Sequence, residues 1–273
     1  MILSDQHMHS TFSGDSKAEM DDMINAAILK GLKTICFTDH YDPLFPGYLP
    51  GNEGIFDLDV DRYMIKAKEI RNNALLQSKI NVRLGIELGI YPEVNEVCRN
   101  IIRSADFDFV ILSSHTAKKI DPYFPSYWEG ITPYEGIRMY FEEILENVRN
   151  FDDFDVYGHM DYVVRYTEST PEDRDINKYK EILEEIIKVI ISKGKGIEIN
   201  SGGLRSKLKE FNPSPDILKL YKDCGGEIIT FGSDAHKCED IAYESKRACD
   251  LLRSVGFNYV AEFRERKPEF IKI

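Results

Sequence analysis

The sequence predicts an α/β protein folded as a distorted, roughly seven-stranded β/α barrel. Strand and helix patterns alternate almost throughout, which indicates parallel β/α architecture. One strand after another ends on His, Asp, Glu or Asn. No phosphate-cradling GxGxxG follows the first strand, which weakens a dinucleotide-binding open sheet. An open sheet seats its ligand at one switch point fed by two or three strand ends. A barrel gathers all its strand ends around one mouth. Polar strand ends spread along the whole chain therefore favour the barrel.

The elements follow in order. Residues 1–3 open a buried strand ending near Asp5, followed by Asp5-Gln6-His7-Met8-His9-Ser10. Residues 16–32 form a helix ending in Lys30-Gly31. Strand two, 33–37, closes on Thr38-Asp39-His40. The Pro/Gly/Tyr-rich stretch 41–54 has no period, and a loop of that length is expected to cover an active site. Residues 57–77 show helical spacing of Tyr63, Ala67, Ile70 and Ala74. Strand three, 82–86, ends at Glu87, and a helix spans 92–104. Residues 107–112 form a nearly continuous apolar run, a strand buried on both faces, ending at Ser113-Ser114-His115. An irregular stretch, 118–131, holds the only tryptophan, Trp128. A helix at 133–150 precedes strand 154–157, which leads to Gly158-His159-Met160-Asp161. Helix 177–193 stops at Gly194. Strand 196–199 runs into Asn200-Ser201-Gly202-Gly203, and helix 215–224 stops at Gly225-Gly226. The seventh strand, 227–231, ends on Gly232-Ser233-Asp234-Ala235-His236. Helix 239–255 follows, and one more strand-like segment begins at Phe257. No repeat, low-complexity tract or linker divides residues 1–273, so a single domain is expected.

The 273 residues are 42% hydrophobic, enough for a sizeable core. Charged residues make up 30% and are well mixed, which opposes disorder. A net charge of −12 argues against non-specific binding to nucleic acid or membranes. A phosphate-bearing ligand must then be drawn in by bound metal or a few arginines. The five cysteines, Cys36, Cys98, Cys224, Cys238 and Cys249, include no CxxC. They oppose a disulfide framework and a thiolate zinc site, and they fit reduced thiols in the cytoplasm. No signal peptide and no membrane span are expected. The sequence does not fix an oligomeric state.

His7 and His9, two apart on a strand, project to the same face. All six histidines, His7, His9, His40, His115, His159 and His236, fall at predicted strand ends. Core histidines have no reason to collect there. Neutral imidazole is the commonest metal ligand, and the carboxylates of Asp15, Glu87 and Asp234 stand nearby to complete such a site. These nine donors exceed what one ion can use, since a closed zinc site takes about four. The number points to two or three divalent ions (Zn, Fe or Mn) with at least one bridging carboxylate. With no cysteine in the set, the site is open and catalytic.

Arg165 and Arg205 follow strand ends and offer planar forks to phosphate. Asn200 is expected with them at the substrate. Asp39, Asp42 and Asp161 flank ligand histidines and are the catalytic candidates. Each could orient an imidazole, protonate a leaving group, or simply cap a loop. Asp42, Glu53 and Asp57 place acidic groups near the mouth, suited to a cationic group on a ligand. Tyr41, Phe45, Tyr48, Tyr123, Phe124, Tyr127 and Trp128 could stack on a substrate ring or pack the two irregular stretches.

These motifs resemble the PHP (polymerase and histidinol phosphatase) metallo-phosphoesterases, in particular the bacterial PHP-type histidinol phosphatases. The resemblance rests on Asp5-Gln6-His7-Met8-His9-Ser10, Phe12-Ser13-Gly14-Asp15, Phe37-Thr38-Asp39-His40, Gly85-Ile86-Glu87, Ser113-Ser114-His115, Gly158-His159-Met160-Asp161, Ile197-Glu198-Ile199-Asn200 and Gly232-Ser233-Asp234-Ala235-His236. It covers nearly the whole chain, in order. It implies a TIM-like barrel of PHP type with a trinuclear site. One ion would be held by His7, His9, Glu87 and Asp234. A second would be held by Glu87, His115 and His159, with Glu87 as the bridge. A third would be held by Asp15, His40 and His236. The implied reaction is hydrolysis of L-histidinol phosphate to L-histidinol and phosphate, a step of histidine biosynthesis. The expected nucleophile is a metal-bridging hydroxide attacking in line, with no phospho-enzyme.

Alternatives are a PHP phosphoesterase acting on another small phosphate ester or nucleotide, a barrel amidohydrolase, and a non-catalytic metal-stabilised regulatory module. The amidohydrolases commonly need a bridging lysine near strand four, where this chain has Ser113-Ser114-His115. The intact ligand set disfavours the regulatory module.

Overall fold

The computed structural model describes residues 2–45, 53–167 and 169–273; Tyr48 and part of the long stretch after the second strand lie outside the described residues. The first half of the chain forms β1 (Ser4–Met8), α1 (Met20–Leu29), β2 (Thr34–Phe37), β3 (His40–Tyr41), α2 (Val60–Asn72), α3 (Ala74–Gln77), β4 (Asn81–Gly89), α4 (Asn95–Arg103) and β5 (Phe109–Ser113). The second half forms α5 (Pro125–Trp128), α6 (Pro133–Asn150), β6 (Val156–Tyr157), α7 (Lys180–Ser192), β7 (Gly196–Asn200), α8 (Pro215–Asp223), β8 (Ile229–Gly232), α9 (Ser245–Ser254), β9 (Tyr259–Arg264) and β10 (Lys267–Lys272).

Seven parallel strands run in the order β1-β2-β4-β5-β6-β7-β8, with the short β3 added on β4. The ring nearly closes between its ends. Met8 bridges Ala235 in parallel, the His9 N–H donates to the Ala235 carbonyl at 2.9 Å, and the Asp234 N–H donates to the His7 carbonyl at 2.8 Å. The expected barrel is therefore present.

Its two layers follow from residue alternation. On β5, Phe109 and Ile111 point inward and pack with Cys36 and Val156, whereas Val110 and Leu112 join the larger cluster under the helices. α7 buries Ile182, Leu183, Ile186, Ile187 and Ile190 on one stripe. α6 starts on a capping box between Thr132 and Glu135, with Pro133 in its first turn. Among the described residues no helix is long and apolar enough to cross a membrane.

Several boundaries differ from the expectation. β1 continues to Met8 and carries a bulge, because three steps from Asp5 to Met8 match two from Ile35 to Phe37. α1 begins only at Met20. The helix expected over 57–77 breaks at Asn73, whose side chain accepts from the Leu76 N–H at 3.0 Å and so caps α3. The stretch around Trp128 contains α5. There Trp128 Nε1 donates to the Pro122 carbonyl at 2.9 Å and the Tyr127 hydroxyl to the Gly136 carbonyl at 2.7 Å, so Trp128 ties the stretch to itself and Tyr127 ties it to α6.

The tail is a hairpin, not a single strand. Its two-residue turn, Glu265-Arg266, takes φ of 50° and 64°, the geometry of a type I′ turn. The sequence lacks the Asn-Gly signal that such a turn usually carries. Asp108 supplies the compensation, accepting from the Glu265 N–H at 3.2 Å through its side chain and from the Arg266 N–H at 2.9 Å through its carbonyl. The hairpin seals the N-terminal end of the barrel, where Phe263 stacks on Phe109 with ring centroids 4.8 Å apart.

Candidate metal centre

The C-terminal ends of the strands bring all nine expected donors into one cup. β1 carries His7, with His9 one residue past it. β3 begins with His40, and β4 carries Glu87. His115 and His159 follow β5 and β6, Asp234 and His236 follow β8, and Asp15 comes from the loop after β1. Inward alternation on β4 aims Glu87 at the centre of the cup.

The donor atoms form overlapping sets. His7 Nε2 lies 3.0 Å from His9 Nε2, 3.2 Å from Glu87 Oε2 and 3.8 Å from Asp234 Oδ1. His9 Nε2 lies 3.5 Å from Glu87 Oε2 and 3.4 Å from Asp234 Oδ1. A tetrahedral zinc shell with bonds near 2.0–2.1 Å has edges of about 3.4 Å, so these four atoms have the spacing of such a shell. The other carboxylate oxygen, Glu87 Oε1, is 2.9 Å from His159 Nε2 and 3.3 Å from His115 Nε2. Glu87 thus serves two sets, as a bridge would. In the third set, Asp15 Oδ2 is 3.1 Å from His236 Nε2 and 3.7 Å from His40 Nε2. His40 also places Nδ1 3.0 Å from Glu87 Oε2, which ties the third set to the first. Asp15 is the most open donor, with 40% of its side chain exposed.

Glu87 Oε2, His40 Nδ1, His159 Nδ1 and His236 Nε2 are buried and have no hydrogen-bond partner. Buried polar atoms are normally satisfied, so this cluster fits divalent cations. The electrostatics agree. Burial pulls His7 down, but Glu198, Glu87 and Asp234 outweigh it and hold His7 well above the usual imidazole range. Against the same burial, Asp42 and Glu87 raise His115 well above it, and Glu87 and Asp15 lift His40 to about 9. His9 falls to about 3, because burial and the neighbouring His236 and His40 oppose another charge. Burial works against ionising Glu87 and Asp234, yet the surrounding imidazoles hold both well below the carboxylate range. The carboxylates demand positive charge in their midst, which either protons or metal ions can supply.

Behind the donors stand residues that orient them. Asp42 Oδ2 is 2.5 Å from His115 Nδ1 and its other oxygen accepts from the Gly89 N–H at 3.1 Å. Ser13 Oγ is 3.1 Å from His9 Nδ1. Glu198, not among the residues expected at the site, puts Oε1 2.7 Å from His7 Nδ1, while its Oε2 accepts from the His159 N–H at 3.1 Å. A carboxylate on the far nitrogen of a ligand histidine fixes its tautomer and orientation. Room for it depends on Gly232, where a Cβ would stand 2.1 Å from Glu198 Oε1. The available signal was a Glu in an otherwise apolar strand, two residues before Asn200 and so on the same face.

Three expected residues, Asp39, Asp161 and Asn200, do not line the cup. Asp39 is fully buried and accepts from the Ser10 N–H at 2.6 Å, the Ser10 hydroxyl at 2.9 Å and the Ser13 hydroxyl at 2.8 Å, so it reaches His9 only through Ser13. Asp161 accepts from Asn212 Nδ2 at 2.6 Å and the Ser214 N–H at 2.9 Å, bracing a loop. Burial pushes its carboxyl up to about 6. Asn200, expected at the substrate, donates to Glu198 Oε2 at 3.0 Å and accepts from the Gly202 N–H at 2.8 Å and from Arg165 Nη2 at 3.1 Å, so it reaches the cup through Arg165. Arg165 lines the cup beside Tyr162, Tyr166, Asp121, Phe45 and Phe56. Arg205 donates to the Asp234 carbonyl at 2.8 Å, supporting a residue held at φ 56°, and its Nη1 is buried without a partner.

Nitrogen and oxygen ligands open to a cleft, with no thiolate closing the shell, mark a metallohydrolase rather than a structural metal site. The chain belongs to the PHP domain family, whose model matches residues 5–202. It is 34% identical over 266 residues to a histidinol-phosphatase of Lactococcus lactis, covering 96% of this chain and 95% of that one. A probable histidinol-phosphatase of Clostridium acetobutylicum is 32% identical over 95% of this chain and 96% of its own. The crystal structure of the Lactococcus lactis histidinol phosphate phosphatase, complexed with Zn, L-histidinol and phosphate, matches with a TM-score of 0.87 at 33% identity, covering 97% of this chain and 98% of that one.

Proposed function

We propose that the chain is a metal-dependent histidinol-phosphatase, which hydrolyses L-histidinol phosphate to L-histidinol and phosphate in histidine biosynthesis. The observation that carries this reading is the complete donor set at one barrel mouth, in a chain matched end to end by histidinol-phosphatases. His7, His9, Glu87 and Asp234 would hold one ion, Glu87, His115 and His159 a second, and Asp15, His40 and His236 a third. When bound, such ions neutralise phosphoryl oxygens, acidify a water for attack and steady the leaving oxygen.

The chain's own residues do the rest. Arg165, beside the cup, meets the phosphate as a charged fork. Arg205 holds the backbone of Asp234 in place. Of the three aspartates expected to act, only Asp42 lines the cup, where it fixes His115 and can exchange a proton with a group beside it. Tyr162 and Tyr166 with Phe45 and Phe56 give the cup an aromatic wall for an imidazole ring, and Asp121 offers a carboxylate for an ammonium. Action on a small biosynthetic phosphate, with all five thiols free, supports a cytoplasmic setting.

A phosphate-release screen across L-histidinol phosphate, nucleotides and sugar phosphates, with elemental analysis of the same preparation, tests the reading. Preferential turnover of L-histidinol phosphate by metal-loaded protein is expected. Turnover of nucleotides or sugar phosphates with none of L-histidinol phosphate would reassign the enzyme to another PHP phosphoesterase.

A further inference from the structure

We propose that Asn212 is a positioning residue for Arg165, gripping one edge of its guanidinium so that the opposite fork is presented to the substrate phosphate. The inference rests on reading Arg165 as the phosphate-binding group.

An arginine offers five N–H donors in one plane. Arg165 Nε donates to Asn212 Oδ1 at 2.6 Å, and Nη2 donates to Asn200 Oδ1 at 3.1 Å. Nε and Nη2 lie along the same side edge of the guanidinium, so two amide oxygens occupy that edge. Tyr162 lies against the planar face, 5.1 Å from its ring centroid to the guanidinium carbon. Nη1 stands 3.7 Å from Asp234 Oδ2, beyond hydrogen-bond reach. What remains is the end fork, Nη1 with the second Nη2 proton, on the side of the metal ligand Asp234. That fork has the shape of a bidentate partner for phosphate.

Asn212 is itself held in one orientation. Its Nδ2 donates to Asp161 Oδ1 at 2.6 Å, so its oxygen faces Arg165. Its backbone exchanges hydrogen bonds with Asn200, the Asn200 N–H donating at 2.7 Å and the Asn212 N–H at 3.0 Å. Gly203 leaves room for the amide, since a Cβ there would stand 2.2 Å from Asn212 Oδ1. The choice of amide over carboxylate has a reason. Both gripping oxygens are neutral, so they fix the guanidinium without adding negative charge to that of Asp234, 3.7 Å from Nη1. An aspartate at 212 would neutralise Arg165 and confront Asp161 at hydrogen-bond distance.

The test is a double-mutant cycle on metal-loaded enzyme. Michaelis constants for L-histidinol phosphate are read with calorimetric Kd values for inorganic phosphate and with bound metal. Arg165→Ala should raise both KM and the phosphate Kd. Asn212→Ala should raise both by about tenfold, with a much smaller change in kcat and unchanged metal content. In the Arg165→Ala background, Asn212→Ala should add less than about twofold, because the group it positions is gone. An undiminished effect there would make Asn212 a brace of the loop alone and overturn the proposal. So would KM and phosphate Kd within about twofold of the parent in Asn212→Ala. If Arg165→Ala itself leaves both constants unchanged, the phosphate-binding reading of Arg165 fails, and the proposal with it. Should Asn212→Ala not fold, Asn212→Ser takes its place. It withdraws the amide oxygen from Arg165 without setting a second carboxylate against Asp161, so the same rise is expected, and unchanged constants would again overturn the proposal.

Discussion

At the N-terminal end of the barrel, Asp108 and Asp155 are buried carboxylates whose neighbours satisfy them. Asp108 accepts from the Leu84 N–H at 3.1 Å, from Arg71 at 3.1 Å and from the hairpin turn. Asp155 accepts from the Val110 N–H at 2.8 Å and from Arg266 Nε at 2.5 Å. At the C-terminal end, Glu87 is buried just as deeply, yet Oε2 has no hydrogen-bond donor and faces imidazole nitrogens. One end of the barrel completes its charges internally. The other assembles acidic groups and histidines whose charges protons or metal ions must balance. The same strands thus carry a structural floor and a chemical mouth, and mutations at the two ends should separate stability from activity.

The largest effect is expected at the bridge. Glu87→Gln should cut phosphate release by more than about 10³-fold and lower bound metal, since it weakens two donor sets at once; near-parental activity would end the distinction between the two ends. Next comes Glu198→Gln, which leaves every proposed ligand in place but loosens His7. A loss of about 10- to 100-fold in metal affinity or activity is expected. Metal titrations of the two variants should rank them in that order.

Protons give a third contrast. In the metal-free cup, His7, His40 and His115 have raised pKa values, with His40 at about 9. Raised imidazoles carry protons below those values, and a metal ion must displace them. Zinc added to metal-free protein near pH 7 in weak buffer should release more than about one proton per chain, and metal affinity should rise with pH. Absence of proton release would show that the donors are already neutral. The smallest effect on turnover is expected at the floor. Phe263→Ala should cost about 3 kcal/mol of stability, read as a lowered thermal midpoint, with bound metal and kcat close to the parent.

The mouth was more legible than its support. His7, His9, His40, Glu87, His115, His159, Asp234 and His236 announce themselves because polar residues interrupt apolar strands or end them. Glu198 sits mid-strand rather than at a strand end, so a search for polar strand ends passes over it. Asp39, Asp161 and Asn200 read as site residues from position alone. They adjoin expected ligands or strand ends in sequence, and their hydrogen bonds run to Ser13, Asn212 and Glu198, with Asn200 reaching Arg165 as well. Which way a side chain faces beyond a strand end depends on loops meeting in space, and sequence spacing does not encode that. Glu265-Arg266 gives no turn signal on its own, so the sequence shows one strand where the structure has the hairpin that plugs the floor; the turn is supported by Asp108, distant in sequence.

The most direct measurement is a zinc titration of chelator-stripped protein, counting ions per chain while following phosphate release from L-histidinol phosphate. Binding of about two to three ions, with turnover absent in the stripped protein and restored as they bind, is the predicted result. Undiminished turnover after stripping, or a cup that takes up fewer than about two ions, would contradict a mouth built to be completed by metal.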